Sequence, residues 1–172
     1  MAKWIVAALL FLAGAQEQNL GNSYLGKAPP EFANEGARWL NVAGPLTLEK
    51  LKGKVVWIEF GFLKCPPCRK MKPTLIRWHK DFSAKGLVVI DVSDGGQDDF
   101  DKLKKEVEEK EEKFAVLWDK DAKICLAYGI QAYPQAYLVG VDGKVIWEGL
   151  PGAKIIDQVE KLMAAEFEKA KK

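Results

Sequence analysis

The sequence predicts an α/β fold in which a mixed central sheet is flanked by helices, and three observations carry that prediction. Short apolar, β-branched runs at residues 55–60, 87–91 and 114–118 alternate with segments of helical periodicity. Two further apolar runs, 135–141 and 144–148, meet at Asp142-Gly143, a strong hairpin signal that adds antiparallel strands to the sheet. The chain then closes with an amphipathic segment from Ala153 onward. With 172 residues and 48% hydrophobic content, one domain with a proper core is expected, and no internal repeat or second domain is visible.

The elements follow in order from the N-terminus. Residues 1–15 have the layout of a secretory signal peptide: Lys3, an apolar run from Trp4 to Leu12, and the small residues Ala13-Gly14-Ala15. The apolar run is shorter than the roughly 20 residues a membrane-spanning helix needs. A mature chain is therefore expected to start near Gln16, with a polar, flexible leader over 16–28 and the folded domain over 29–172. An extracytoplasmic, periplasmic location follows from the signal reading. Residues 55–60 read as a strand buried on both faces, interrupted only by Glu59. From Pro67 to Phe82, Met71, Leu75, Ile76, Trp78 and Phe82 share one side of a helix, which Pro73 is expected to kink.

After the strand at 87–91, residues 97–113 are highly charged, with apolar positions at Phe100, Leu103 and Val107, and read as an exposed amphipathic crossover helix. A strand at 114–118, a short helix at 124–128 and the hairpin complete the sheet. In the closing helix, Ile155, Ile156, Val159, Leu162, Met163 and Phe167 are placed to cover one sheet face.

Lys and Arg total 26 against 24 Asp and Glu, a formal charge of +2 that gives no basic field to hold nucleic acid. Three cysteines make no stapled framework, since one thiol is left over. Two of them form Cys65-Pro66-Pro67-Cys68, directly after the first buried strand. A zinc site would need further ligands at the right spacing, and Cys125 and His79 do not supply them. A purely structural disulfide across so short a loop would restrain the unfolded chain little. The pair is therefore read as redox-active, a chemistry that needs neither metal nor cofactor.

Pro66 biases Cys65 away from helical geometry, and Pro67 fits the first position of a helix, so Cys65 falls in the cap region of the helix that follows. Unpaired backbone N–H groups and the positive end of the helix dipole there favour a thiolate, and cysteines so placed have pKa values of about 3.5 to 7.5. Thiolate is the attacking form in disulfide exchange. Lys64 and Arg69 add positive potential. Cys68, one helical turn on, is placed to reach the Cys65 sulfur while shielded from solvent. Cys65 is thus expected to attack a partner and Cys68 to release it. Glu59, a carboxylate in a buried strand six residues before Cys65, is the candidate acceptor of the Cys68 proton, through a water and with its pKa raised by desolvation. Cys125 reads as a small buried apolar residue, and the six tryptophans as packing.

Over about residues 27–168 the chain resembles the thioredoxin superfamily, and within it the TlpA and ResA type of exported proteins. The motifs that carry the likeness are Gly26-Lys27-Ala28-Pro29-Pro30-Glu31-Phe32, Leu51-Lys52-Gly53-Lys54-Val55-Val56, Cys65-Pro66-Pro67-Cys68-Arg69, Pro73 and Tyr128-Gly129-Ile130-Gln131-Ala132-Tyr133-Pro134. The resemblance implies a thioredoxin-like fold with an N-terminal extension and a cis bond between Tyr133 and Pro134 beside the dithiol. It also implies substrate contact at Pro66, Pro67, Tyr133 and Pro134, with the Tyr133 backbone pairing with the bound chain. Glu59 falls at the position of the family's buried acid. Where the family has aromatic residues, this chain has Lys64 and Gly61, which alters the apolar surface offered to a partner.

The activity so implied is reduction of disulfides in exported client proteins, apocytochromes awaiting haem attachment being one class. Re-reduction would come from a membrane dithiol donor, with the protein acting as a monomer. Oxidase or isomerase direction and a redox-silent client-binding role stay open at this level. Copper delivery would need an extra ligand, and a peroxidase would have a threonine and a single cysteine where this chain has the pair.

Overall fold

The computed structural model describes residues 21–171. The segment read as a signal peptide, with the first residues of the leader, lies outside them. Six strands form one mixed sheet: β1 (Arg38–Leu40), β2 (Val55–Gly61), β3 (Leu87–Asp94), β4 (Ala115–Asp119), β5 (Gln135–Val139) and β6 (Val145–Gly149). Their spatial order is β1-β4-β3-β2-β5-β6. The central β2, β3 and β4 are parallel, while β1 runs antiparallel to β4, β5 to β2 and β6 to β5. The helices are α1 (Pro66–Phe82), α2 (Phe100–Glu109), α3 (Lys123–Ala127) and α4 (Ile156–Lys169).

Every residue of β2 is buried, as its nearly continuous apolar run requires, and period-two alternation divides them between two cores. Val55 and Trp57 enter a core with Met71, Leu75 and Trp78 of α1, Leu103 and Val107 of α2, and Val159, Met163 and Phe167 of α4. Val56, Ile58 and Phe60 enter the opposite core with Ile124 and Cys125 of α3, Tyr128 and Tyr137. Trp57 stacks on Trp147 and meets Trp78 edge-on, with ring centroids 5.4 and 4.9 Å away. The hairpin turns at Gly143, whose φ of 79° explains the Asp-Gly signal.

Several boundaries differ from the sequence reading. β3 continues to Asp94, because β2 and then β4 supply backbone partners as far as Asp119 regardless of side-chain polarity. α2 is shorter than 97–113: Asp99 caps it by accepting from the Lys102 N–H at 3.1 Å, and the chain leaves the helix at Lys110. α1 runs on through Pro73 as one helix. The three-residue edge strand β1 was not anticipated, since so short a run has no period of its own.

Residues 21–28, the described part of the leader, are bonded to the rest of the fold. The Asn22 N–H donates to the Tyr128 carbonyl at 2.8 Å, and Gly26 and Lys27 bond the two sides of Val145 at 2.8 and 2.9 Å. Tyr24 packs between Tyr128 and Tyr137, so this polar-looking segment adds an aromatic side chain to the sheet.

The approach to the Tyr133 loop is held by Asp119 at the end of β4. Its fully buried carboxylate accepts from the N–H groups of Ile124 (3.0 Å) and Cys125 (2.8 Å) and from the Asn34 side-chain amide (2.7 Å). Asp119→Ala strands those donors and is expected to cost about 2–3 kcal/mol. The expected signature is a lower urea midpoint with an unchanged denaturant slope.

Candidate active site

The dithiol sits where β2 hands over to α1. Cys65 is extended (φ −86°, ψ 107°), as a residue before proline should be, and α1 starts at the next residue with both prolines in its first turn. Its sulfur is the helix N-cap: the Cys68 backbone N–H donates to Cys65 Sγ at 3.2 Å, and the Cys65 carbonyl accepts the first helical bond, from Arg69, at 3.1 Å. Cys65 and Cys68 are joined as a disulfide with Cα atoms 5.3 Å apart. Both cysteines are buried, whereas Pro66, Pro67 and Lys64 are exposed around them.

Glu59 lies on the side of β2 that faces Cys68. It shares a β2 face with Trp57 and Gly61, and a Cβ added at Gly61 would come within 3.2 Å of Cys68 Sγ. Gly61 thus leaves the room that Cys68 occupies. The Glu59 carboxylate is 1% exposed and accepts from Trp57 Nε1 at 3.1 Å. Burial, reinforced by the charge of Asp91, pushes its pKa up to about 8, against the opposing pull of the Trp57 hydrogen bond and Lys72.

The loop on the other side of the disulfide carries the Tyr133–Pro134 bond, which is cis. Tyr133 meets Phe62 edge-on at 5.3 Å, and its hydroxyl donates to Asp94 at 2.6 Å. Asp98 holds the facing loop by accepting from the Leu63 N–H at 2.8 Å and the Ser93 hydroxyl at 2.7 Å. The end of β3 and the turn after it therefore tie down both loops that flank the dithiol.

All seven residues singled out from the sequence, Glu59, Cys65, Pro66, Pro67, Cys68, Tyr133 and Pro134, belong to this one neighbourhood. Cys125 is buried and free, and burial pushes its thiol up, out of reach of ionisation near neutrality. His79 packs near the Phe114 ring on α1. Sequence reasoning missed Phe62, Asp94 and Asp98, together with an ion cluster formed by Lys72, Asp91 and Glu112. Asp91 carries the signal that drew attention to Glu59, an acid inside an apolar strand. Lys72 sits four residues after Cys68 and so on the same helix face, while Glu112 lies in a charged run with nothing to distinguish it.

A capped sulfur at a helix start, a second cysteine one turn on and a cis-proline loop beside them make a dithiol-disulfide exchange centre on a thioredoxin-like sheet. The profile of the AhpC/TSA family matches residues 25–148, and the chain belongs to that family. It is 30% identical over 169 residues to the thiol-disulfide oxidoreductase ResA of Bacillus cereus, with 92% of each chain covered. To the ResA of Bacillus anthracis it is 31% identical over 166 residues, with 90% of each covered. Among solved structures, it is similar to the thioredoxin domain of a thiol-disulfide oxidoreductase from Bacteroides vulgatus (26% identity, TM-score 0.67, covering 83% of this chain and 99% of that one). A thiol:disulfide interchange protein from Bacteroides sp. matches at 28% identity and TM-score 0.65, covering 81% and 90%. The protein is a thiol-disulfide oxidoreductase with a C-x-x-C pair, acting on disulfide-containing substrates.

Between the ordinary glutamate value of 4.5 and about 8, folded Glu59 retains a proton that the unfolded chain has released. Its contribution therefore makes stability fall as pH rises through that window, by at most about 1.4 kcal/mol per pH unit. Glu59→Gln keeps an acceptor for Trp57 and removes the titration. Denaturant titrations at pH 5.5 and 7.5 are expected to show a smaller loss for the variant than for the parent chain.

Proposed function

We propose that the protein is an exported reductant of disulfides in client proteins outside the cytoplasm, re-reduced by a membrane dithiol donor. The observation that carries this reading is the Cys65 sulfur held as N-cap of α1, with the Cys68 sulfur packed at Gly61, two residues along the same β2 face from the buried Glu59. In the reduced protein the backbone donors at the helix start favour the Cys65 thiolate. That thiolate attacks one sulfur of a client disulfide, and the client's other sulfur leaves as a thiol. Cys68 then passes its proton to the Glu59 carboxylate and attacks Cys65 Sγ. The Cys65–client bond breaks, the client departs with both cysteines reduced, and the two electrons it gained leave Cys65 and Cys68 as a disulfide.

The backbone of Tyr133, ahead of the cis Pro134, is the proposed edge for the client chain, with the exposed rings of Pro66 and Pro67 beside it. A base at Cys68 would speed release of the reduced client, while the reduction potentials of protein and donor set the direction. Export is supported by the signal-like first fifteen residues. Among the described residues no helix is long and apolar enough to cross a membrane.

Cys65→Ser is expected to abolish insulin reduction, and Cys68→Ser to accumulate a mixed disulfide through Cys65 that can be isolated from exported proteins. A trapped client bearing a C-x-x-C-H segment would assign the reaction to haem attachment. A reduction potential above about −150 mV in glutathione buffers would overturn the reductant direction.

A further inference from the structure

Tyr133 is anchored at the far end of its side chain. The hydroxyl donates to the carboxylate of Asp94, the last residue of β3, which is 6% exposed. That carboxylate is itself fixed: its other oxygen accepts from the Gly96 N–H at 2.8 Å, and the Asp94 carbonyl accepts from the N–H groups of Gln97 and Asp98 at 3.0 and 2.9 Å. Across the parallel pair, Asp94 stands opposite Asp119 of β4. The Cys125 thiol interacts with both the Tyr133 hydroxyl and the Asp119 carboxylate, which encloses the phenol oxygen on a second side. Burial and the Asp94 carboxylate keep the phenol protonated, so it remains a donor.

The near end of the same residue borders the dithiol. The Tyr133 ring meets Phe62 edge-on, and the Phe62 carbonyl accepts the Cys65 N–H at 3.1 Å. β5 begins its pairing with β2 at Gln135, opposite Phe60, so Tyr133 stands just beyond the paired part of the sheet. Among the described residues, the Tyr133 backbone N–H and carbonyl have no hydrogen-bond partner. A backbone open on both groups has no ladder bond to fix its distance from Cys65. The side chain supplies that restraint, because it ties the loop to the end of a central strand.

We propose that Asp94 is a positioning residue for client binding: through the Tyr133 hydroxyl it holds the open Tyr133 backbone at the spacing from Cys65 that an extended client chain needs, and it takes no part in the sulfur exchange. The proposal rests on the reading of the Tyr133 backbone as the client edge, and deepens it by naming the group that sets that edge. It also names a substrate class. A disulfide carried in extended peptide backbone gains from the tether, whereas a small aromatic disulfide offers no peptide N–H or carbonyl to that edge and gains nothing.

The test compares two disulfides on the reduced full chain, a peptide closed by a single disulfide and dithiobis-nitrobenzoate, with the rate of attack followed against concentration. Asp94→Ala is expected to raise the half-saturating concentration of the peptide about fivefold, with the limiting rate and the dithiobis-nitrobenzoate rate within about twofold of the parent. Tyr133→Phe removes the donor and leaves the strand end intact, so it should raise the peptide value to the same extent. The double variant should raise it no further, since both changes break one contact. Additive losses in the double variant would place the effect of Asp94 in the Gly96 turn and overturn the tether.

The client edge is checked separately, on Cys68→Ser chain trapped as a mixed disulfide with the same peptide. There the Tyr133 amide is expected to exchange its hydrogen about tenfold more slowly than in the free chain. If it is not slowed, the reading of the edge fails and the proposal with it. If it is slowed while Tyr133→Phe keeps the parent half-saturating concentration, the edge stands and the tether is overturned. Equal losses on both disulfides in Asp94→Ala overturn it too, because Asp94 would then serve the packing of the dithiol itself.

Discussion

The contact from the Cys68 backbone amide to the sulfur of Cys65 joins the chemistry to the architecture. A helix start always presents N–H groups without intrahelical partners, and here the atom that answers one of them is the sulfur of Cys65. That requires β2 to end where it does, Cys65 to be extended, and α1 to begin at Pro66. The two prolines impose the latter two conditions locally. The strand imposes the first, because its backbone is paired on both sides by β3 and β5 and delivers the chain to the edge of the core at one defined point.

Around this cap the protein accumulates buried charge, at a cost that a purely structural core would avoid. Glu59, Asp91 and Glu112 all lie on the covered side of the sheet near α1, with a single lysine among them. Burial raises the carboxyls of both Glu59 and Glu112 above the ordinary glutamate value. A carboxyl raised to about 8, as at Glu59, is suited to exchanging protons near neutrality, which a solvated glutamate is not. The proposed proton transfer from Cys68 to Glu59 would give that cost a chemical rationale.

The two loops flanking the dithiol depend on one another through β3. Asp94 takes the Tyr133 hydroxyl on one face of the sheet, and Asp98, in the following turn, takes the Leu63 amide on the other side of the site. Phe62 then meets Tyr133 edge-on. An aromatic surface next to the dithiol is therefore present despite Lys64 and Gly61, supplied from a neighbouring position. Gly61 itself is explained by packing, as it leaves the space that the Cys68 sulfur fills.

What the sequence determined by itself was local or periodic. Proline geometry at Cys65, the alternation in the strands, the Asp-Gly turn and the helical stripe of α1 act over a few residues, and so the exchange motif and most of the elements were readable in order. The acid at Glu59 was readable for the same reason, as a polar break in an apolar run. Tertiary structure alone decided which charges meet. Lys72, Asp91 and Glu112 come from a helix, a strand and a turn, and their meeting depends on the register of β3 against β2 and on how α1 lies across both. The docking of Tyr24 and the tethering of two loops by Asp94 and Asp98 have the same origin. Neither is encoded in the spacing of the residues involved, because pairing across the sheet, and not distance along the chain, sets those contacts.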